Sequence, residues 1–157
     1  MVLSGQKVTF RAAATEDAAG IIGFQISMAK ETESIDLDRA VCANGVQAVF
    51  DRSDLGRYYV AEIDGRVGAC LLITFEWSDW RNRIVWWIQS VYVQPAFRHG
   101  GIYAGLYAYV KNLCENDPAA AGIRLYVDRR NLDAQHVYKR LEMNGDHYQL
   151  FEWMKDF

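Results

Sequence analysis

Ser90-Val91-Tyr92-Val93-Gln94-Pro95-Ala96-Phe97-Arg98-His99-Gly100-Gly101-Ile102-Tyr103-Ala104-Gly105-Leu106 is the stretch on which the reading of this chain turns. A β-rich run from Ile84 to Val93 stops at Pro95, which lacks the amide that a central ladder would need. Beyond it Ile102, Leu106, Val110 and Leu113 recur at helical spacing until Asn116-Asp117-Pro118. The residues between join a strand end to a helix start, where backbone amides point outward along the positive end of the helix dipole. Gly100 and Gly101 let the main chain approach an oxyanion closely, Arg98 adds a fixed charge, and no acid stands between Arg81 and Glu115. Such a turn suits a phosphate, although a plain strand-to-helix turn accounts for two glycines equally well. The chain has no GxxxxGK[ST] and no GxGxxG followed by an acid about 20 residues on, which excludes those two phosphate loops.

Upstream, Val8 to Arg11 reads as a strand. Thr15-Glu16-Asp17 then leads into a helix over Ala18 to Met28, an acidic loop covers Glu31 to Asp38, and a second helix runs to about Phe50. Tyr58 to Ile63 and Val67 to Phe75 flank Asp64-Gly65, the strongest hairpin signal in the chain. The run Ile84 to Val93 returns as the next strand. Downstream, Ile123 to Val127 reads as a short strand. Ala134, Val137, Tyr138 and Leu141 mark a helix capped by Asn131 with Asp133 in its first turn, and Tyr148 to Met154 reads as a closing strand. A meander followed by crossovers predicts an α/β (α+β) fold, with a mixed, mostly antiparallel central sheet and helices on both faces.

The quoted stretch resembles the acetyl-CoA-binding motif of the GCN5-related N-acetyltransferase (GNAT) superfamily, a strand ending in Val-x-Pro, then Arg/Gln-x-x-Gly-x-Gly/Ala, then a helix. Arg98 and Gly101 stand at its first two fixed positions and Tyr103 replaces the final small residue. A second segment, Asn131-Leu132-Asp133-Ala134-Gln135-His136-Val137-Tyr138-Lys139-Arg140-Leu141-Glu142-Met143, is similar to the family's Asn-x-x-Ala-x-x-x-Tyr-x-x-x-Gly-Phe/Met helix, with Glu142 where glycine is usual. The two motifs come in the family's order, and the resemblance covers nearly the whole chain, implying a GNAT-like acyl-CoA N-acyltransferase fold.

The resemblance implies an enzyme that moves an acetyl group from acetyl-CoA, as co-substrate, to an amine in a ternary complex. It further implies a cofactor site made of Val91, Tyr92, Val93, Arg98, His99, Gly100, Gly101, Ile102, Tyr103, Asn131 and Tyr138, with a main-chain amide at Val91 as oxyanion donor and Tyr138 as the acid that protonates the leaving thiolate. An alkyl ammonium of pKa about 10 must first lose its proton, which calls for a base or a water chain. Glu31, Glu33 and Glu76 are the candidates for that base, and each also reads as an ordinary exposed acid. Glu31, Glu33, Trp77, Trp80 and Gln89 place carboxylates and aromatics where an amine acceptor could be held by charge and cation-π contacts; aromatics in strands are also ordinary core. Cys70, inside the apolar run Ala69 to Ile73 with no histidine nearby in sequence, reads as a buried thiol rather than an acyl carrier.

The chain has 157 residues, 51% of them apolar, which fits one domain over 1–157. The net charge of -3 gives no footprint for nucleic acid. Residues 1–79 carry 12 acids against 7 bases and residues 80–157 carry 8 against 10; if the parts meet at a cleft, a cationic acceptor suits the first and an anionic ligand the second, while unevenly scattered surface charge accounts for the same counts equally well. No apolar stretch is long enough for a membrane span, the first seven residues have no signal-peptide core, and three scattered cysteines offer neither a disulfide framework nor a zinc site. The expectation is a cytoplasmic protein without metal, acting on a small-molecule or peptide amine, with tryptophans and a C-terminal strand that leave room for a homodimer. Two other readings stand beside it: a non-catalytic acyl-CoA-binding module of the same fold, and a tryptophan-rich protein-interaction domain.

Overall fold

Asp64 and Gly65 both have left-handed backbone, φ 49° and 79°, and this turn folds strand β2 (Arg57–Ile63) back onto β3 (Arg66–Ser78). The computed structural model describes residues 5–155; residues 1–4, and with them most of the N-terminal stretch read above, lie outside the described residues. A second tight turn at residues 79–82 returns the chain as β4 (Arg83–Val93). With β1 (Val8–Ala12) on the far side of β2, and β5 (Ala120–Arg124) beside β4, the sheet runs β1-β2-β3-β4-β5. The first three pairings are antiparallel and β4·β5 is parallel, so the sheet is mixed and mostly antiparallel, as the element order implied.

Helices α1 (Ala18–Glu33) and α2 (Arg39–Asp51) cover one face. Ile21, Phe24 and Val46 pack there on Tyr58, Val60, Cys70 and Tyr92. Helix α3 (Ile102–Glu115) covers the other, where Ile102 joins Ala61, Ile63 and Ala69, with Phe10, Val93 and Phe97 around them. Gly105 brings α3 close to β1, because a side chain there would run into the Phe10 ring.

The chain divides into two compact units, one running to Arg124 and one from Leu125. All five strands and α1 to α3 belong to the first. The second holds α4 (Leu132–Arg140), where Asn131 Oδ1 accepts the Ala134 amide at 3.0 Å as the expected cap.

Three expectations need correction. Glu31 and Glu33 stand in the last turn of α1, not in a loop, because straight-chain residues carry the helix on to the left-handed Ser34. The fifth strand lies at Ala120–Arg124 instead of Ile123 to Val127, since its register is set by pairing Ala120 with Ile84 and Arg124 with Trp87, not by β-propensity. Tyr148 to Met154 forms no strand. Its residues are exposed and outside any ladder among the described residues, and strand-forming residues make a strand only where a ladder pairs them.

Candidate functional site

Strand β4 changes character halfway along. β5 pairs with it from Ile84 to Trp87 only, whereas β3 follows it to Val93. From Ile88 onward, among the described residues, β4 has a ladder on one edge only. Within that length the register slips, Cys70 facing Tyr92 and Leu72 facing Gln89, so β4 carries an extra residue. Ser90 takes up the slip with φ 50°. A bulge of this kind rotates the following main chain, here Val91, out of the regular pleat. No side chain in the sequence signals it.

The loop after β4 is built for close approach. Pro95–Phe97 form a single 3-10 turn, and His99 (φ 63°) and Gly101 (φ 78°) are left-handed on either side of buried Gly100. Alternating backbone of this sort makes the concavities in which anions sit on successive N–H groups. Gly101 is the N-cap of α3; no side chain caps the helix there, and its first turn holds no acid. The amides of a first turn have no carbonyl within the helix to bond, so a diphosphate fits this cradle by charge and by donor supply. The Tyr103 ring lies against Tyr107 one turn along α3, with centroids 6.4 Å apart.

Arg98 enters the loop already engaged. Its Nε donates to the Val93 carbonyl at 2.8 Å, its Nη2 to Glu31 Oε2 at 2.6 Å, and its guanidinium carbon lies 5.4 Å from the centre of the Tyr92 ring. Tyr92 Oη donates to the other oxygen, Glu31 Oε1, at 2.9 Å. The end of α1 is thereby clasped to the end of β4 and the start of the loop. The hydrogen bond from Arg98, then that from Tyr92, holds the Glu31 carboxyl below its ordinary range, while burial first and Glu31 second push the Tyr92 phenol up. Tyr92 stacks on Phe24, so its side chain belongs to the core and only its main chain stays at the strand edge.

Glu76 belongs to a second cluster. Its Oε2 accepts the Trp87 indole N–H at 2.6 Å and its Oε1 accepts Arg124 Nη1 at 2.8 Å, tying β3, β4 and β5 together on one face. Next to it Gln89 Nε2 reaches Thr74 Oγ1 at 3.4 Å. By register these residues share the face of the sheet that α1 and α2 cover elsewhere, through Leu72 and Tyr58. Thr74 and Arg124 escaped the sequence reading because only the β3·β4·β5 register brings them beside Gln89 and Glu76. Trp77 is one residue along β3 from Glu76 and therefore on the opposite face, and Trp80 is in the turn; both are exposed, at 61% and 91%. The structure brings Glu31, Tyr92 and Arg98 together, and Gln89 near Glu76. It does not bring Trp77 or Trp80 to either group. Glu33 is exposed one residue-pair beyond Glu31, and Asn131 and Tyr138 lie in the second unit, on α4 and its cap.

Cys70 is fully buried, its thiol pushed up to about 12 by burial, with Gln25 Nε2 at 3.9 Å. Burial thus disfavours the thiolate that a nucleophile needs. Among the described residues no group of acids, histidines and cysteines is placed to hold a metal, and no helix is long and apolar enough to cross a membrane.

The sequence profile of the Acetyltransferase (GNAT) family matches residues 17–143. Among solved structures, a possible acetyltransferase from Clostridium difficile 630 is 38% identical, with a TM-score of 0.89 over 96% of this chain and 99% of that one. The aminoglycoside N-acetyltransferase AAC(6')-Iy in complex with CoA superposes with a TM-score of 0.78 at 14% identity, over 99% and 100%. A ribosomal-protein-alanine N-acetyltransferase from Brucella melitensis biovar Abortus 2308 gives 0.76 at 15%, over 95% and 100%. The latter two likenesses concern the fold. No curated protein matches the chain.

Proposed function

Since the chain belongs to the acetyltransferase (GNAT) family, we propose that it transfers an acetyl group from acetyl-CoA to a primary amine of a cationic small molecule or peptide, by direct attack in a ternary complex. The observation that carries this reading is the conjunction of an uncapped α3 N-terminus behind the His99–Gly101 cradle with a β4 edge that β5 leaves open from Ile88 onward. The family profile runs across both compact units, which supports one catalytic domain over 1–157.

In this reading the amides of His99 to Tyr103 hold the diphosphate, and the open edge at Val91 to Val93 holds the pantetheine as an added strand. Acetyl-CoA supplies the activated acyl carbon as a thioester. The Val91 amide, turned out of the pleat by the bulge at Ser90, is the proposed oxyanion donor; one such donor is worth roughly 100- to 1000-fold in rate. Tyr138 is the proposed acid for the thiolate, and Asn131, whose side-chain oxygen serves as a cap, lends its remaining donors to the pantetheine arm. Proton removal from the amine falls to water or to a carboxylate among Glu31, Glu33 and Glu76. Glu76 has both oxygens engaged by Trp87 and Arg124, which leaves it less available for taking up a proton than Glu33. An excess of acids in residues 1–79 favours a cationic acceptor, and three free thiols accord with the cytoplasm as the site of action.

Thermal denaturation with and without acetyl-CoA tests the reading. At about 100 times its dissociation constant the ligand raises Tm by about 5 to 10 °C, and Gly101→Val, which forces a branched residue into left-handed backbone, removes the shift. A shift without amine-dependent release of CoA thiol across a panel of amines identifies the non-catalytic module. No shift at saturating acetyl-CoA overturns the reading.

A further inference from the structure

Arg98 stands at the start of the loop that forms the cradle, yet its charge is already matched by Glu31 at 2.6 Å, and Glu31 is held on its other oxygen by Tyr92 at 2.9 Å. All three groups sit where the end of α1, the end of β4 and the start of the loop converge. Resting on the reading above, we propose that Glu31 is an exchangeable counter-ion for Arg98: the diphosphate of CoA takes its place on the guanidinium and releases the Glu31 carboxylate beside β4, where it faces the incoming cationic amine. Cofactor binding thus exposes an acceptor-binding carboxylate that is sequestered before it.

Three features support an exchange over a permanent tie. The pair is partly exposed, 37% for Arg98 and 40% for Glu31, so water can solvate both partners as they separate, and an exposed pair of this kind contributes little to stability. Arg98 keeps a second anchor that the exchange does not touch, the bond from Nε to the Val93 carbonyl, so its guanidinium stays at the loop when Glu31 leaves. A diphosphate on the cradle would place two further negative charges near Glu31, so the doubly charged ligand and the carboxylate compete for one cation. Sequence separation hides the device, since Glu31 and Arg98 are 67 residues apart.

The test uses coenzyme A itself and the intact chain. In calorimetry Glu31→Gln binds CoA about threefold more tightly than the unaltered protein, because the competitor for Arg98 is gone, and in an Arg98→Ala background the same substitution changes nothing. In carboxyl-resolved NMR the Glu31 titration midpoint, held low by Arg98 in the free protein, rises toward the ordinary glutamate value when CoA saturates the site. An unmoved or lowered midpoint with CoA bound overturns the proposal. So does weaker CoA binding by Glu31→Gln, which would make the clasp a permanent brace for the loop, and so does an equal gain with and without Arg98, which would be plain charge repulsion. Failure of the unaltered protein to bind CoA would instead sink the functional reading on which the proposal stands.

Discussion

Arg11 meets Asp17 with two parallel bonds, Nη1 to Oδ2 at 2.7 Å and Nη2 to Oδ1 at 3.1 Å, and reaches Glu62 on β2 with Nε and Nη2. The hydrogen bond from Arg11 is the first cause that draws the Asp17 carboxyl below its ordinary value, against the opposing effect of burial. A carboxylate with a lowered folded pKa contributes stability that is fully present above its unfolded value near 3.9 and is lost as pH falls through the folded one. Asp17→Asn therefore lowers stability by about 1 to 2 kcal/mol at pH 7, and chemical denaturation at descending pH finds the gap between variant and unaltered protein closing below about pH 4. At the same scale, Tyr138→Phe separates a chemical role from a packing one: if the phenol protonates the thiolate, kcat falls by about 100-fold or more while the KM for acetyl-CoA holds. A merely structural Tyr138 would change Tm and leave the kcat of the surviving fold alone. Individual roles were legible where the chemistry is local, as at the Asn131 cap. They were hidden where it depends on a partner far along the chain, as for Glu31 with Arg98 or Glu76 with Arg124.

Elements were legible to the degree that their own residues determine them. Asp64-Gly65 supplies the two left-handed positions its turn requires, and Pro95 ends β4 by withholding an amide. Where tertiary pairing decides, local signals failed: Ala120, Ala121 and Gly122 are poor strand formers that lie in β5 because β4 offers them a parallel edge, and Tyr148 to Met154 has strand-forming residues but no ladder. The bulge at Ser90 belongs to the second kind, since it follows from the count of residues between two registers. Gly56 shows a tertiary demand within an element boundary. A Cβ there would collide with the Ile73 carbonyl oxygen, a backbone atom fixed by the β2·β3 ladder, so neither partner can yield without breaking pairing. Gly56→Ala costs about 1 to 3 kcal/mol, visible as a fall in Tm of about 3 to 10 °C. Gly20→Ala in α1, where a Cβ meets open space, is the control and leaves Tm level or raised.

On the scale of the molecule, ligand binding and core stability are one equilibrium, and Cys70 is placed to report it. Its side chain is at 0% exposure in the middle of β3, flanked by β2 and β4 and covered by α1 and α2. Burial pushes its thiol up to about 12, so almost none of it is thiolate in the folded state, and an alkylating reagent must wait for the sheet to open. Half-buried Cys42 on α2, also pushed up by burial, needs only local opening of that helix and labels first. Under conditions where closing outruns alkylation, the labelling rate at Cys70 is proportional to the population of the open form. On the proposed function, acetyl-CoA at about 100 times its dissociation constant then reduces that population, and with it the rate, by about 100-fold. Mass spectrometry of iodoacetamide adducts at Cys42 and Cys70 measures both rates in one experiment. Equal slowing at the two sites would mean that α2 and the sheet open together. Slowing at Cys70 alone would mean that the cradle between β4 and α3 holds the sheet while α2 frays independently. An acetyl adduct at Cys70 in the folded protein would contradict direct transfer, because the thiol that carried it would have to be reached through a closed core.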